Sequence, residues 1–129
     1  MIKGVSDVLN FNSVLLSTED LKKLSDFYKK VFDKDPDMEE DKYVGFLVGT
    51  AFFSIGEHDK IHGKSTNPDR ILFNFETKDV KGEFERIKGV GAEVVKEPYK
   101  MGEGDFWIAT FADPDGNYFQ LVSPWEPEK

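Results

Sequence analysis

None of the 129 residues of this chain is a cysteine. Disulfides, thiolate nucleophiles and Cys-based metal sites are therefore all excluded. His58 and His62 stand four apart beside Glu57 and Asp59, and on a helix that spacing would put two imidazoles on one face, ready for a metal. Gly56, Lys60, Gly63, Lys64 and Pro68 argue against a helix there, so loop histidines on a solvated linker are expected. Arg70 stands where a strand begins and offers a planar fork for a carboxylate or phosphate. The competing reading is a rim arginine paired with Asp69 or Glu76. Glu76 could instead meet a ligand amine. No side chain stands in a recognisable nucleophile–base pairing, so no catalytic residue is assigned.

The elements that must position these groups follow one pattern read twice. Phe11–Ser17 alternates as a strand, with Val14 and Leu16 on one face and Ser13, Leu15 and Ser17 on the other. Ser17, Thr18 or Glu19 begins a helix whose stripe is Leu21, Leu24, Tyr28 and Val31, and Asp33 to Pro36 ends it. Short strands are predicted at 37–40, 43–48 and 51–55, with Gly49-Thr50 as a turn. A polar linker follows, and then the pattern restarts. Ile71, Phe73 and Phe75 form a greasy strand face, and Val80, Phe84, Ile87 and Val90 a helical stripe. Strands at 93–96, 106–112 and 118–123 complete the second unit. Asp20-Leu21, Tyr28 and Val31 match Asp79-Val80, Ile87 and Val90 at a constant offset of 59. A repeat of that kind is a property of the whole fold. One domain is expected, with module one at about 11–56, a linker at about 57–69 and module two at about 70–124.

A formal charge of −8 and an isoelectric point near 4.8 repel phosphate backbones, so a nucleic-acid partner is not expected. The lysine pairs 22–23 and 29–30 read as a solvated helix face. Acidity could favour a cationic ligand, although solubility is the commoner reason for it. No apolar run resembles a signal peptide or approaches a membrane span, so no membrane partner and a cytoplasmic setting are expected. Twelve phenylalanines suit strands facing helices and a ring-lined pocket.

Asp113-Pro114-Asp115-Gly116-Asn117 is a turn by its chemistry, and Phe111 before it and Tyr118 to Leu121 after it make it a hairpin. The run from Phe111 to Val122 resembles the C-terminal signature of the glyoxalase/bleomycin-resistance/extradiol-dioxygenase group, the vicinal oxygen chelate superfamily. Phe11 to Leu16, Asp20-Leu21 and Phe27-Tyr28 are similar to that family's first strand and helix. The resemblance spans Phe11 to Pro124. It implies an α+β fold of two βαβββ modules forming a cupped sheet with a central cleft, and a homodimer. In the family's enzymes a divalent metal held by His, Glu or Gln sits in that cleft and chelates two adjacent substrate oxygens.

Position by position, the resemblance puts Ser13, Ser54, Arg70 and Gln120 where those enzymes have metal ligands. Only Gln120 is a credible ligand. A guanidinium repels a cation, and serine hydroxyls bind transition metals weakly. Neither a metal nor another cofactor is expected. Strand alternation and the match to the family assign the cleft face to Ser13, Leu15, Ser54, Arg70, Leu72, Asn74, Glu76, Phe106, Ile108, Thr110, Tyr118 and Gln120. Such a mixture of aromatic and hydrogen-bonding groups suits a small-molecule pocket, and residues 98–105 are a candidate lid. The expected function is metal-independent binding or sequestration of a small molecule. Its rivals are a lyase, isomerase or dioxygenase with an altered metal or acid–base site, and a structural dimerisation module.

Overall fold

A computed structural model describes residues 4–124. Module one runs β1 (Ser13–Thr18), α1 (Leu21–Phe32), β2 (Met38–Glu40), β3 (Tyr43–Val48) and β4 (Ala51–Glu57). Module two repeats the order as β5 (Phe73–Glu76), α2 (Val80–Gly89), β6 (Glu93–Lys100), β7 (Trp107–Ala112) and β8 (Tyr118–Val122). Each module forms a four-stranded sheet, ordered β1-β4-β3-β2 and β5-β8-β7-β6. The first strand of each pairs parallel with the last, and the other neighbours are antiparallel. This is the α+β fold of two βαβββ modules that the repeat foretold.

The same residues start both helices. Thr18 Oγ1 accepts from the Asp20 backbone, and the Asp20 carboxylate caps Lys23 N. Fifty-nine residues on, Thr77 Oγ1 accepts from Asp79 N, and Asp79 caps Gly82 N. Asp20, and not the expected Ser17, Thr18 or Glu19, is thus the cap of α1. Each cap satisfies a backbone donor that the helix leaves unpaired.

Strand starts differ from expectation for a stated reason. Register pairs Ser13 with Phe52 and Phe73 with Phe119. Continuing either ladder backwards runs into a turn, at Gly49-Thr50 in one case and around Gly116 in the other. Phe11 and Arg70–Leu72 therefore lie outside the strands they were expected to open. Val90 is the C-cap of α2 and exposed, not a member of its buried stripe. β6 continues through Pro98 to Lys100, with register shifts after Val94 and after Lys96. Bulges of this kind let a strand contain a residue with no donor.

Helix-side faces of both sheets meet in one aromatic core. The ring of Phe53 lies 5.8 Å from those of Phe73 and Phe75, and Tyr28 lies 4.8 Å from Phe53 and 5.8 Å from Phe119. Two polar ties join the modules at this core. Tyr28 Oη donates to Asp113 Oδ2 at 2.6 Å. Arg86 of α2 donates to Lys30 O and Val31 O, capping the C-terminus of α1 from outside while its Nε holds Glu83. The linker is fastened at both ends. His58 N donates to Thr18 O, Gly63 N to the Glu19 carboxylate, and Ser65 N to Asp115 O.

Asp113 is almost fully buried. Besides Tyr28 it accepts from Asp115 N, Asn117 N and Asn117 Nδ2. Burial pushes its carboxyl above the usual range, and these hydrogen bonds oppose that rise. Burial, then the Asp113 charge, drives the Tyr28 phenol well above its ordinary value, so it stays a donor. A raised folded pKa gives Asp113 a contribution that is full below its unfolded pKa and lost as pH rises through the folded one. Tyr28 favours the charged form, so its own contribution runs the opposite way. Tyr28→Phe should cost about 1.5–3 kcal/mol at neutral pH, the range for bonds to charged groups. That loss should shrink as acid titrates Asp113. Urea unfolding of both proteins across that titration checks the size and the sign.

Candidate functional site

Alternation sends the partner residue of every core position to the outer face of its sheet. On sheet one, Ser13, Leu15 and Ser54 lie opposite Val14, Leu16 and Phe53. On sheet two, Asn74, Glu76 and Gln120 lie opposite Phe73, Phe75 and Phe119. The shared core separates these two outer faces, so in the single chain the expected cleft residues fall on two surfaces.

Sheet one's outer face is largely hydrocarbon. Leu15 is 60% exposed, and its Cδ1 lies over Gly56. A Cβ built on Gly45 would fall 2.4 Å from two ring carbons of Phe52. Glycine at 45 is what lets that ring lie flat against the sheet. Ser54 is buried and its hydroxyl donates to Val14 O at 3.0 Å. On sheet two, Ile108 and Thr110 are buried, Tyr118 is half-buried, and Gln120 Nε2 donates to Thr110 Oγ1 at 3.0 Å.

Between the open edges of β1 and β5 runs a groove of about 660 Å³. Phe11, Val14, Phe52 and Phe53 wall it from module one, and Leu72, Phe73 and Phe75 from module two. Thr50, Asn74 and Glu76 supply its polar groups. Leu72, Asn74 and Glu76 are thus the expected site residues brought together here. Arg70 is not among the groove's lining residues; it stands exposed in the bend ahead of β5, its backbone N–H bonded to Asn67 O. Phe106 lies elsewhere, in a hollow of about 640 Å³ at the start of α2 with Lys78, Lys81 and Trp107. Lys81 Nζ sits 3.9 Å from the Trp107 ring centroid. Residues 98–100 belong to β6, which leaves a loop of residues 101–106 between β6 and β7.

His58 and His62 lie on the linker. His58 Nδ1 accepts from Lys60 N, and His62 Nδ1 is 3.3 Å from Glu19 Oε2. The Gly63 backbone donor, then the His62 contact, hold the Glu19 carboxyl below its usual range. Among the described residues no three His, Cys, Asp or Glu side chains gather closely enough to hold a metal ion.

Phe11, Phe52 and the helix-side rings at the groove were not expected as site residues. The available signal was Gly45, which pairs with Ser54 and lies diagonally from Phe52 on one face of the β3–β4 hairpin, a glycine where a strand interior otherwise favours a side chain.

A model of the Glyoxalase/Bleomycin resistance protein/Dioxygenase superfamily matches residues 10–121. The chain belongs to that superfamily. Among its relatives is the metallothiol transferase FosB of Bacillus licheniformis, 29% identical over 119 residues that cover 88% of this chain and 75% of FosB. The fosfomycin resistance protein FosX of Listeria monocytogenes is 27% identical over 130 residues, covering 94% and 90%. A crystal structure of FosX matches with a TM-score of 0.68 and 26% identity over 97% of this chain and 96% of that one. A glyoxalase-related enzyme from Fulvimarina pelagi matches the fold at a TM-score of 0.74 and 15% identity, covering 91% and 89%.

The four residues that the resemblance puts at metal-ligand positions carry donors that do not suit a divalent transition metal. Ser54 spends its hydroxyl proton on a backbone carbonyl, Arg70 is a cation, Ser13 is a neutral hydroxyl and Gln120 offers one amide oxygen. Gly45→Ala should swing the Phe52 ring off the sheet and cost roughly 1–3 kcal/mol, as overpacking does. A crystal structure and a thermal melt of the variant check this, and a Phe52 rotamer left in place would contradict it.

Proposed function

We propose that this protein binds or sequesters a small, largely apolar molecule in the inter-module groove without a metal ion. The observation that carries the reading is the groove itself, with aromatic walls and a few polar groups, the composition of a small-molecule site. The donor set supports the metal-free part. Leu72, Asn74 and Glu76 are the ligand contacts proposed from module two. Ser13, Leu15, Ser54, Ile108, Tyr118 and Gln120 are proposed to join them where a second copy covers the outer faces. Exposed Leu15, Leu47 and Ile71 support a homodimer, because apolar surface of this kind marks association. Among the described residues no helix is long and apolar enough to cross a membrane; a cytoplasmic setting is part of the proposal.

The similarity to FosB and FosX favours a second reading, a resistance enzyme with donors other than those at the family positions. Elemental analysis after dialysis against a weak chelator separates the two. Zinc, nickel, iron and manganese should each fall far below stoichiometric, and a naphthalene-type fluorescent probe should bind equally before and after chelation. Stoichiometric metal, or binding abolished by the chelator, would favour the enzyme. Sedimentation equilibrium should show a dimer at micromolar concentration; a monomer would remove the outer-face contacts from the site.

A further inference from the structure

Within the groove, Glu76 is the one ionisable side chain among the described lining residues. It makes no hydrogen bond or ion pair with any described residue. The other polar groups there, Thr50 and Asn74, are uncharged. The cation that the sequence offered, Arg70, stands outside. Lys78, two residues beyond Glu76, lines the separate hollow at the start of α2.

Resting on the binding reading above, we infer that the groove selects an amphipathic cation, an apolar or aromatic body carrying a protonated amine that meets Glu76. Three features act in the same direction. The walls take the apolar body, because burying hydrocarbon is favourable at roughly 25 cal/mol per Å². Phenylalanine faces attract an ammonium group and do not attract a carboxylate or phosphate. A net charge of −8 gives the protein a field that concentrates cations near its surface and repels anions. An anionic ligand would instead face Glu76 with no cation in the groove to offset it.

Glu76 is exposed, so its direct contribution to affinity is modest and salt-sensitive. An exposed ion pair corresponds to about a twofold to fivefold preference, reduced as the Debye length shortens.

Three probes with one body test the inference: 2-naphthylmethylamine, 2-naphthalenemethanol and 2-naphthoate, titrated by fluorescence into the intact protein at low and high salt. The ammonium should bind about two- to fivefold tighter than the alcohol, and the carboxylate weakest. High salt should narrow the spread. Glu76→Gln should shrink the ammonium's advantage over the alcohol to what the rings and the net charge supply. Asp41→Asn, in the exposed turn between β2 and β3, changes net charge equally and should leave the order intact. Equal binding of all three probes, or equal effects of the two substitutions, would overturn the charge selection and leave the binding reading standing. Failure of every probe to bind would overturn the binding reading and this inference with it.

Discussion

A single buried hydrogen bond, from the Tyr28 phenol to the Asp113 carboxylate, is the contact around which the two modules are arranged. Asp113 organises the β7–β8 turn through the Asp115 and Asn117 backbone donors, and Gly116 takes the positive φ that the turn requires. That turn sets where β8 begins, and β8 sets where β5 can begin. Tyr28 meanwhile stands on the buried stripe of α1. One carboxylate therefore ties the position of module one's helix to the strand register of module two. A buried charge with too few partners would destabilise the fold, and the four donors gathered on Asp113 are what make the arrangement tolerable.

The groove follows from that register. β1 and β5 stand at the ends of their sheets, so each keeps an open edge, and both start only where β4 and β8 have cleared their turns. Phe11 on one side and Ile71-Leu72 on the other are left as apolar approaches rather than strand residues. Phe11 is 85% exposed and Ile71 64%. Both residues line the groove.

Much of this was legible in the amino-acid sequence because it depends on local periodicity. The alternation of Val14 and Leu16, of Phe73 and Phe75, and of Phe119 and Leu121 named the helix-side faces. The 59-residue offset matched Asp20 with Asp79, although Ser17, Thr18 or Glu19 was expected to open the first helix and Asp20 is its cap. What stayed hidden depends on contacts between distant residues. Tyr28 and Asp113 are 85 positions apart, and each fits an ordinary local role, one in a stripe and one in a turn. Arg86, three residues after Glu83, looks like half of a surface ion pair; its bonds to Lys30 and Val31 become visible only once the helices are placed. Arg70 was misplaced because parity shows which way a residue would point inside a strand, not whether the ladder reaches it.

The offset also pairs Phe27 with Arg86 and Tyr28 with Ile87. The two copies thus keep one backbone plan but carry different side chains where they touch. Phe27 packs edge-on against Tyr28 and Phe119, whereas Arg86 closes the end of the helix that bears them. Each half is consequently shaped for the other and not for a duplicate of itself. Expressed as separate peptides, the halves would recognise one another as lock and key, and a chain made of two first halves or two second halves would lack the complementary surface.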